Sequence, residues 1–332
     1  MERYIETFKD KHILITGGVG FIGSTIAIRL AGIAASITLV DSLIEDYGGN
    51  LFNIEPVKDK VNVNIADVRD EASMNALVKG KDYIFNMAGT LSHIDSMTNP
   101  YQDLEINCRS QLTILEACRK HNRSVKIVYA GTRGEYGKTC KVPVDETHPL
   151  LPTDVNGINK IAGELYHLVY NNVYEGISCT SLRLTNTFGP RHQMRHSKQG
   201  YLNWFIRLAM EDKPITIYDQ GTPKRDFSYI DDTVESIIIA CASEDTNGRF
   251  YNIGSGRGVS ILESAQAVIN AVGSGRIEHV TYPPDKKVIE VGDYIADASK
   301  FSNQFGWSPK VTFEEGLAKT VEYYRQYREN YW

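Results

Sequence analysis

Cysteine is scarce: Cys108, Cys118, Cys140, Cys179 and Cys241 make five, an odd set without C-x-x-C spacing. That pattern suggests reduced thiols, neither a disulfide framework nor a zinc site, and no metal is assigned. Long apolar runs are lacking as well. The longest, residues 236–242, falls far short of the ~20 residues of a membrane-spanning helix. Positive charge is not in excess, with 36 Lys and Arg against 41 Asp and Glu and a net charge of −5. The basic footprint of a nucleic-acid binder is therefore missing. The opening segment MERYIETFKDKH has no apolar core of the signal-peptide kind. A cytoplasmic protein is expected, with neither nucleic acid nor membrane as partner.

What is present is the composition of a globular chain of 332 residues, 42% hydrophobic and 23% charged, enough for one large domain or two. Candidate strands fall at 12–16, 36–40, 61–65, 83–87, 126–130 and 179–184, with amphipathic segments at 22–30, 71–78 and 104–121 between them. Strand and helix in alternation predict an α/β fold, a Rossmann-type doubly wound parallel sheet. The runs HILIT, ITLV and KIVYA are nearly continuous hydrophobics, as strands covered on both faces should be. After Gly189-Pro190 the texture changes, with helices expected at 202–210, 231–242, 261–272 and 313–324 and a strand at 215–218. The expectation is a cofactor domain over 1–188 and a smaller α/β substrate lobe over 189–332, with segments that interleave. A ligand then belongs in the crevice beyond the carboxyl ends of the strands.

The strand HILIT runs into Gly17-Gly18-Val19-Gly20-Phe21-Ile22-Gly23, and a helical pattern follows. Gly17, Gly20 and Gly23 form G-x-x-G-x-x-G, a turn whose missing side chains let backbone approach a pyrophosphate at a helix N-terminus. An acid, Asp41, closes the second strand, in the place that grips adenosine ribose hydroxyls. Its carboxylate would repel a 2′-phosphate, which favours NAD over NADP; the plainer role is a cap or turn. Asp67 and Val68, after the third strand, either flank the adenine or serve their own turn.

These residues, with FNMAG (85–89), NPYQDLEIN (99–107), VYAGTRGEYG (128–137), NGINKIAGE (156–164), LRLTNTFGP (182–190), KRDFSYIDD (224–232) and YNIGSG (251–256), resemble the extended short-chain dehydrogenase/reductase family. The similarity is to its NAD-dependent nucleotide-sugar epimerases and dehydratases. It implies a homodimer built on helices 104–121 and 157–173, and hydride transfer between a sugar carbon, most often C4, and NAD. Gly17, Gly20, Phe21, Ile22, Gly23, Met87, Ala88 and Gly89 would then line the cofactor. Thr132 falls in the Ser/Thr position of the proton relay and Lys160 in the Lys position, where it holds the nicotinamide ribose.

Two departures stand out. The Tyr position holds Asn156, and a carboxamide has no titration near neutral pH with which to take a proton. The base then falls to Thr132 through water, or to His93 in the loop LSHID, whose ordinary pKa suits the task. Secondly, Arg133 and Gly134 stand where dehydratases of the family carry acids. Glu135 comes one position late and is expected to point away, which disfavours elimination. Lacking both features, the chain also resembles bacterial GDP-heptose 4-dehydrogenases.

By the same resemblance Asn186 and Arg225 contact the diphosphate, for which the planar fork of Arg is suited; an ion pair with Asp226 or Asp232 is the alternative for Arg225. Ser92, beside His93, and Arg191, which opens the cationic run 191–198, join the substrate side. The leading expectation is an NAD-dependent oxidoreductase giving a 4-keto nucleotide sugar. An epimerase or 4,6-dehydratase with a displaced base, and a non-catalytic binder of NAD and nucleotide sugar, are the alternatives.

Overall fold

The computed structural model describes residues 1–45, 47–287 and 289–332. The six apolar runs become β1 (His12–Thr16), β2 (Ser36–Asp41), β3 (Asn62–Ile65), β4 (Tyr83–Asn86), β5 (Val125–Thr132) and β6 (Ile177–Leu184). Then follow β7 (Asn186–Phe188), β8 (Pro214–Tyr218), β9 (Lys224–Tyr229), β10 (Arg249–Ile253), β11 (Gly258–Ser260) and β12 (Arg276–Val280). The large sheet has seven strands in the order β10-β6-β5-β4-β1-β2-β3, all parallel. This is a Rossmann-type doubly wound sheet. The order reverses beside β1, and the crevice at such a switch point is where ligands bind.

Burial follows the strand period of two. Ile13 and Ile15 enter a core shared with helices Phe21–Leu30 and Ile230–Ala242, while Leu14, Val40, Ile84 and Ile127 enter a second core with helix Ser110–His121. All six are essentially inaccessible to solvent. Strand β3 lies at the edge, and its four residues are exposed.

The chain crosses the expected division at 188 in both directions. Strand β10, from the second half, adds the seventh strand to the large sheet beside β6. Strand β7, from the first half, joins β9 and β11 in a three-stranded sheet, and β8 pairs with β12.

Local structure differs from the sequence pattern at three places. The expected helix 104–121 starts earlier, at Pro100–Leu104, and widens at Glu105–Arg109 into a π-turn before Ser110–His121; such bulges re-aim side chains at functional sites. Residues Leu51–Lys60 form a 3₁₀ segment capped by Asn50, with Pro56 inside it, and carry no clear apolar period to announce it. Part of the loop LSHID is helical: Ser92 caps helix His93–Thr98 by accepting from the Asp95 amide at 3.0 Å. Among the described residues no helix is long and apolar enough to cross a membrane, and no cluster of His, Cys, Asp or Glu could hold a metal.

Candidate active site

One cavity of about 950 Å³ opens over the carboxyl ends of the strands. Its nucleotide end is built largely by backbone. Gly17 turns the chain out of β1 at φ +62°, in the left-handed region, where any Cβ would press on Met87 and Ala88 at 3.0 Å. A Cβ on Gly23 would collide with the Gly17 carbonyl oxygen. Helix Phe21–Leu30 starts there with Gly20 as a cap that offers no side chain, so its first amides face the cavity. Gly17, Gly20, Phe21, Ile22 and Gly23 all line it, as do Met87, Ala88 and Gly89 at the end of β4.

Asp41 lines the cavity beside them. Its carboxylate accepts from the Leu43 amide at 3.0 Å and the Val19 amide at 3.3 Å. Burial raises its pKa against the pull of those two amides. Thus it serves its own turn while facing the space a ribose would occupy. Asp67 and Val68 also line the cavity, and Arg69 clamps Asp67 through two nitrogens at 2.9 and 2.6 Å, lowering its pKa. A side-chain-free cradle, free helix amides and an acid at the second strand fit a dinucleotide such as NAD.

The reacting end depends instead on side chains from distant segments. Thr132, at the end of β5, accepts from the Gly134 amide at 3.2 Å and starts a 3₁₀ turn, Arg133–Glu135. That turn, rather than an extended loop, carries Glu135 back under the sheet. Its Oε1 takes the Thr132 amide at 2.8 Å. Its Oε2 lies 3.2 Å from Arg183 Nε without hydrogen-bond geometry. Glu135 is fully buried and does not line the cavity, and burial pushes its pKa up. The turn thus presents no carboxylate to the cavity.

Lys160 and Asn156 both lie on helix Val155–Val173 and line the cavity. Lys160 Nζ donates to the Ala130 carbonyl at 2.8 Å and sits 4.9 Å over the Tyr129 ring. Burial pulls its pKa down, opposed by Glu135 and Asp103. Asn156 is fixed from behind: its amide donates to the Thr90 carbonyl and to Asp103 Oδ2, both at 2.9 Å. Asp103 also accepts from Thr90, Asn107 and Asn159, and the π-turn places Asn107 in this cluster. A carboxamide with both N–H bonds so engaged holds geometry; it moves no proton.

His93 is arranged otherwise. Its Nδ1 lies 2.6 Å from Asp154 Oδ2, while Asp154 Oδ1 caps helix Val155–Val173 by taking the Gly157 amide at 2.8 Å. The imidazole lines the cavity and is 38% exposed, against 3% for Asp154. Its Cε1 is 3.4 Å from where a Cβ of Gly134 would stand, beside the turn after Thr132. No hydrogen bond to Nε2 is seen among the described residues. An imidazole donating from Nδ1 to a carboxylate presents the Nε2 lone pair outward.

On the substrate side Ser92, Asn186 and Arg225 line the cavity. Arg225 pairs with neither Asp226 nor Asp232. It reaches Glu290 at 2.5 Å and the Gly292 carbonyl at 2.6 Å. Asp226 is taken by Ser255, Gly256 and Ala296, and Asp232 by Val311. Arg191 is not brought to the cavity: its Nε meets Thr25 Oγ1 at 3.3 Å on helix Phe21–Leu30, and the guanidinium lies over Tyr323. Gln193, Ser197 and Lys198 of the same run do line it, and Lys198 pairs with Asp95 at 3.1 Å.

The sequence reading missed three participants. Asp154 was legible as a helix cap, three residues before the amide it binds; its reach to His93, 61 positions away, was not. Asp103 sat within a recognised segment without a role. Arg133 was noted only as a missing acid, yet it lines the cavity, and its Nε donates to Asn186 Oδ1 at 2.7 Å.

Residues 13–254 match the profile of the NAD dependent epimerase/dehydratase family. A UDP-glucose 4-epimerase of Mycolicibacterium smegmatis is 30% identical over 94% of this chain and 98% of its own length. A dTDP-glucose 4,6-dehydratase of Streptomyces niveus is 29% identical over 95% and 93%. The UDP-glucose 4-epimerase of Thermus thermophilus, solved in complex with NAD, superposes with a TM-score of 0.83 at 30% identity, over 95% of this chain and 99% of that one.

Proposed function

This chain belongs to the NAD-dependent epimerase/dehydratase family, as an enzyme whose cofactor is NAD, and from that premise we propose that it oxidises C4 of a nucleotide-diphosphate sugar with His93 as base. The observation that carries this reading is the His93–Asp154 contact of 2.6 Å beside Thr132, next to an Asn156 whose amide is fully engaged. NAD, when bound, supplies the hydride acceptor. Thr132 Oγ1 hydrogen-bonds the C4 hydroxyl and fixes its direction. His93 Nε2 takes that hydroxyl's proton as the C4 hydride departs, and Asp154 balances the imidazolium. Lys160 positions the nicotinamide ribose. Asn186 and Arg225 hold the diphosphate, and Asp41 the adenosine ribose.

Reversal of the same steps on the other face of the ketone would make the protein a 4-epimerase. A 4,6-dehydration is disfavoured, because Arg133 and Gly134 replace the acids and Glu135 is turned inward. A homodimer belongs to the proposal: Ile158, Leu165, Val169 and Val173 leave an apolar stripe 50–64% exposed on one helix, beside Tyr101 and Leu104, and a second copy would cover it. Light scattering of the purified protein tests that directly. Four buried cysteines and no disulfide suit the reducing cytoplasm.

The test of function is single-turnover NADH absorbance after mixing the NAD-loaded protein with UDP-, dTDP- and GDP-linked hexoses. A 4-keto product with at least one of them is expected. His93→Ala should slow its formation about 10²–10⁴-fold, the usual contribution of a general base. An unchanged rate in that variant would remove His93 from the chemistry, and nucleotide-sugar binding without any NADH would leave a binder.

A further inference from the structure

Among the arginines in and beneath the cavity, one stands apart. Arg69 is held by Asp67, Arg183 by Glu164 and Arg225 by Glu290, each at 2.5–2.6 Å. Arg133 has no carboxylate within ion-pairing distance among the described residues. Its contacts are the neutral Asn186 oxygen at 2.7 Å and the face of Tyr294 at 5.7 Å. Its surroundings depress its pKa to about 10, burial first and then the like charge of Arg225, so it remains a cation at neutral pH. Arg133 is half-buried without a counter-charge, a costly setting for a cation, and its guanidinium faces a cavity built for a ligand.

Its place along that cavity narrows the ligand. Arg133 directly follows Thr132, and Thr132 is paired with Leu184 across β5 and β6. Its anchor Asn186 lies two residues beyond Leu184, opposite Phe227 of β9. Arg225 stands two residues before Phe227 on β9, roughly 6–7 Å along the strand. The cation therefore lies between the reacting end and Arg225. A substrate with its diphosphate at Arg225 and its reacting carbon at Thr132 would lay the rim of its sugar ring on Arg133.

We propose that Arg133 seats a carboxylate on the sugar, which makes a nucleotide-diphosphate uronic acid the preferred substrate class. This rests on the nucleotide-sugar reading above and sharpens it. Arg suits the role because its fork binds a planar carboxylate through two parallel N–H bonds. Nε is already spent on Asn186, which leaves the two terminal nitrogens for the ligand. Asn186 and Tyr294 then act as positioning residues that aim the fork.

The test is calorimetric binding of UDP, UDP-glucose and UDP-glucuronate to the NAD-loaded wild type, Arg133→Ala and Arg133→Lys, with NAD affinity and thermal midpoint recorded for each. A charge-assisted contact of this kind predicts UDP-glucuronate binding about 10- to 100-fold more tightly than UDP-glucose. Arg133→Ala should erase that preference, and Arg133→Lys should restore part of it without the bidentate geometry. Equal affinities in the wild type overturn the proposal. So does a variant that loses UDP and both sugars alike, which would assign Arg133 to the diphosphate. If no uridine ligand binds to a protein that still takes up NAD, the nucleotide-sugar reading in its UDP-linked form falls, and the proposal with it. Should Arg133→Ala fail to fold, the Arg133→Lys split between the two sugars decides alone.

Discussion

The two ends of the cavity are built on different principles. At the nucleotide end the working groups are backbone amides and absent side chains, set by a stretch of seven residues, Gly17 to Gly23, and one acid on the next strand. At the proposed reacting end each candidate side chain takes its orientation from a segment far away: His93 from Asp154, Asn156 from Asp103, Arg133 from Asn186, Arg225 from Glu290. A local site tolerates little change, whereas an assembled site is altered one side chain at a time, and on the proposed reading it is there that Asn156, Arg133 and Gly134 stand.

The same contrast explains what could be read in the sequence. The alternation of strands and helices and the glycine turn are carried by near neighbours, so the parallel sheet and the cofactor end follow from short windows. The seventh strand, β10, and the transfer of β7 to a second sheet are long-range pairings; only an interleaving of segments could be expected. At the reacting end the residue types were legible and their partners were not. Asp226 and Asp232 are Arg225's neighbours in the sequence, but backbone amides, with the Ser255 hydroxyl on Asp226, occupy both, and Glu290 arrives from 65 residues away. Arg191 shows the converse, a cation in a promising run that turns away from the cavity to Thr25 and the Tyr323 ring.

The largest effect is expected where the local site is broken. Gly23→Val puts a branched side chain into the Gly17 carbonyl, so the turn must open and the helix amides lose their aim. NAD binding, followed by fluorescence quenching, should fall beyond detection while the large sheet persists by circular dichroism. Retained NAD affinity would show that the cradle is not backbone-built.

A smaller effect is expected from Asp154→Asn, which separates the two jobs of one side chain. Asn caps helices about as well as Asp, so the bond to the Gly157 amide and the fold should survive. The charge facing His93 is lost. Hydride transfer should slow about 10- to 100-fold, less than the ~10⁴ seen when a fully buried triad carboxylate is so changed, because the His93 ring is 38% exposed. A slower rate that comes only with a lowered thermal midpoint would make Asp154 a structural cap and nothing more.

The smallest effect, and the finest comparison, comes from Asn156→Tyr. Asn156 is one of four donors to Asp103, and its removal leaves three, so the carboxylate stays satisfied. The Thr90 carbonyl loses a partner as well. A stability loss of about 1–3 kcal/mol is expected from these hydrogen bonds, readable as a lowered thermal midpoint. The new phenol would stand one helical turn before Lys160, whose buried ammonium would lower its pKa. If His93 already serves as base, a second base adds little, and the wild-type background should gain less than about twofold. In the His93→Ala background the phenol should recover about tenfold or more of the lost rate, a fraction of what a well-placed general base contributes. Equal gains in both backgrounds would mean that His93 never took the proton and that Asn156 marks a slow site awaiting its Tyr. A gain confined to the His93→Ala background would mean that the proton acceptor has moved from one helix to the end of another.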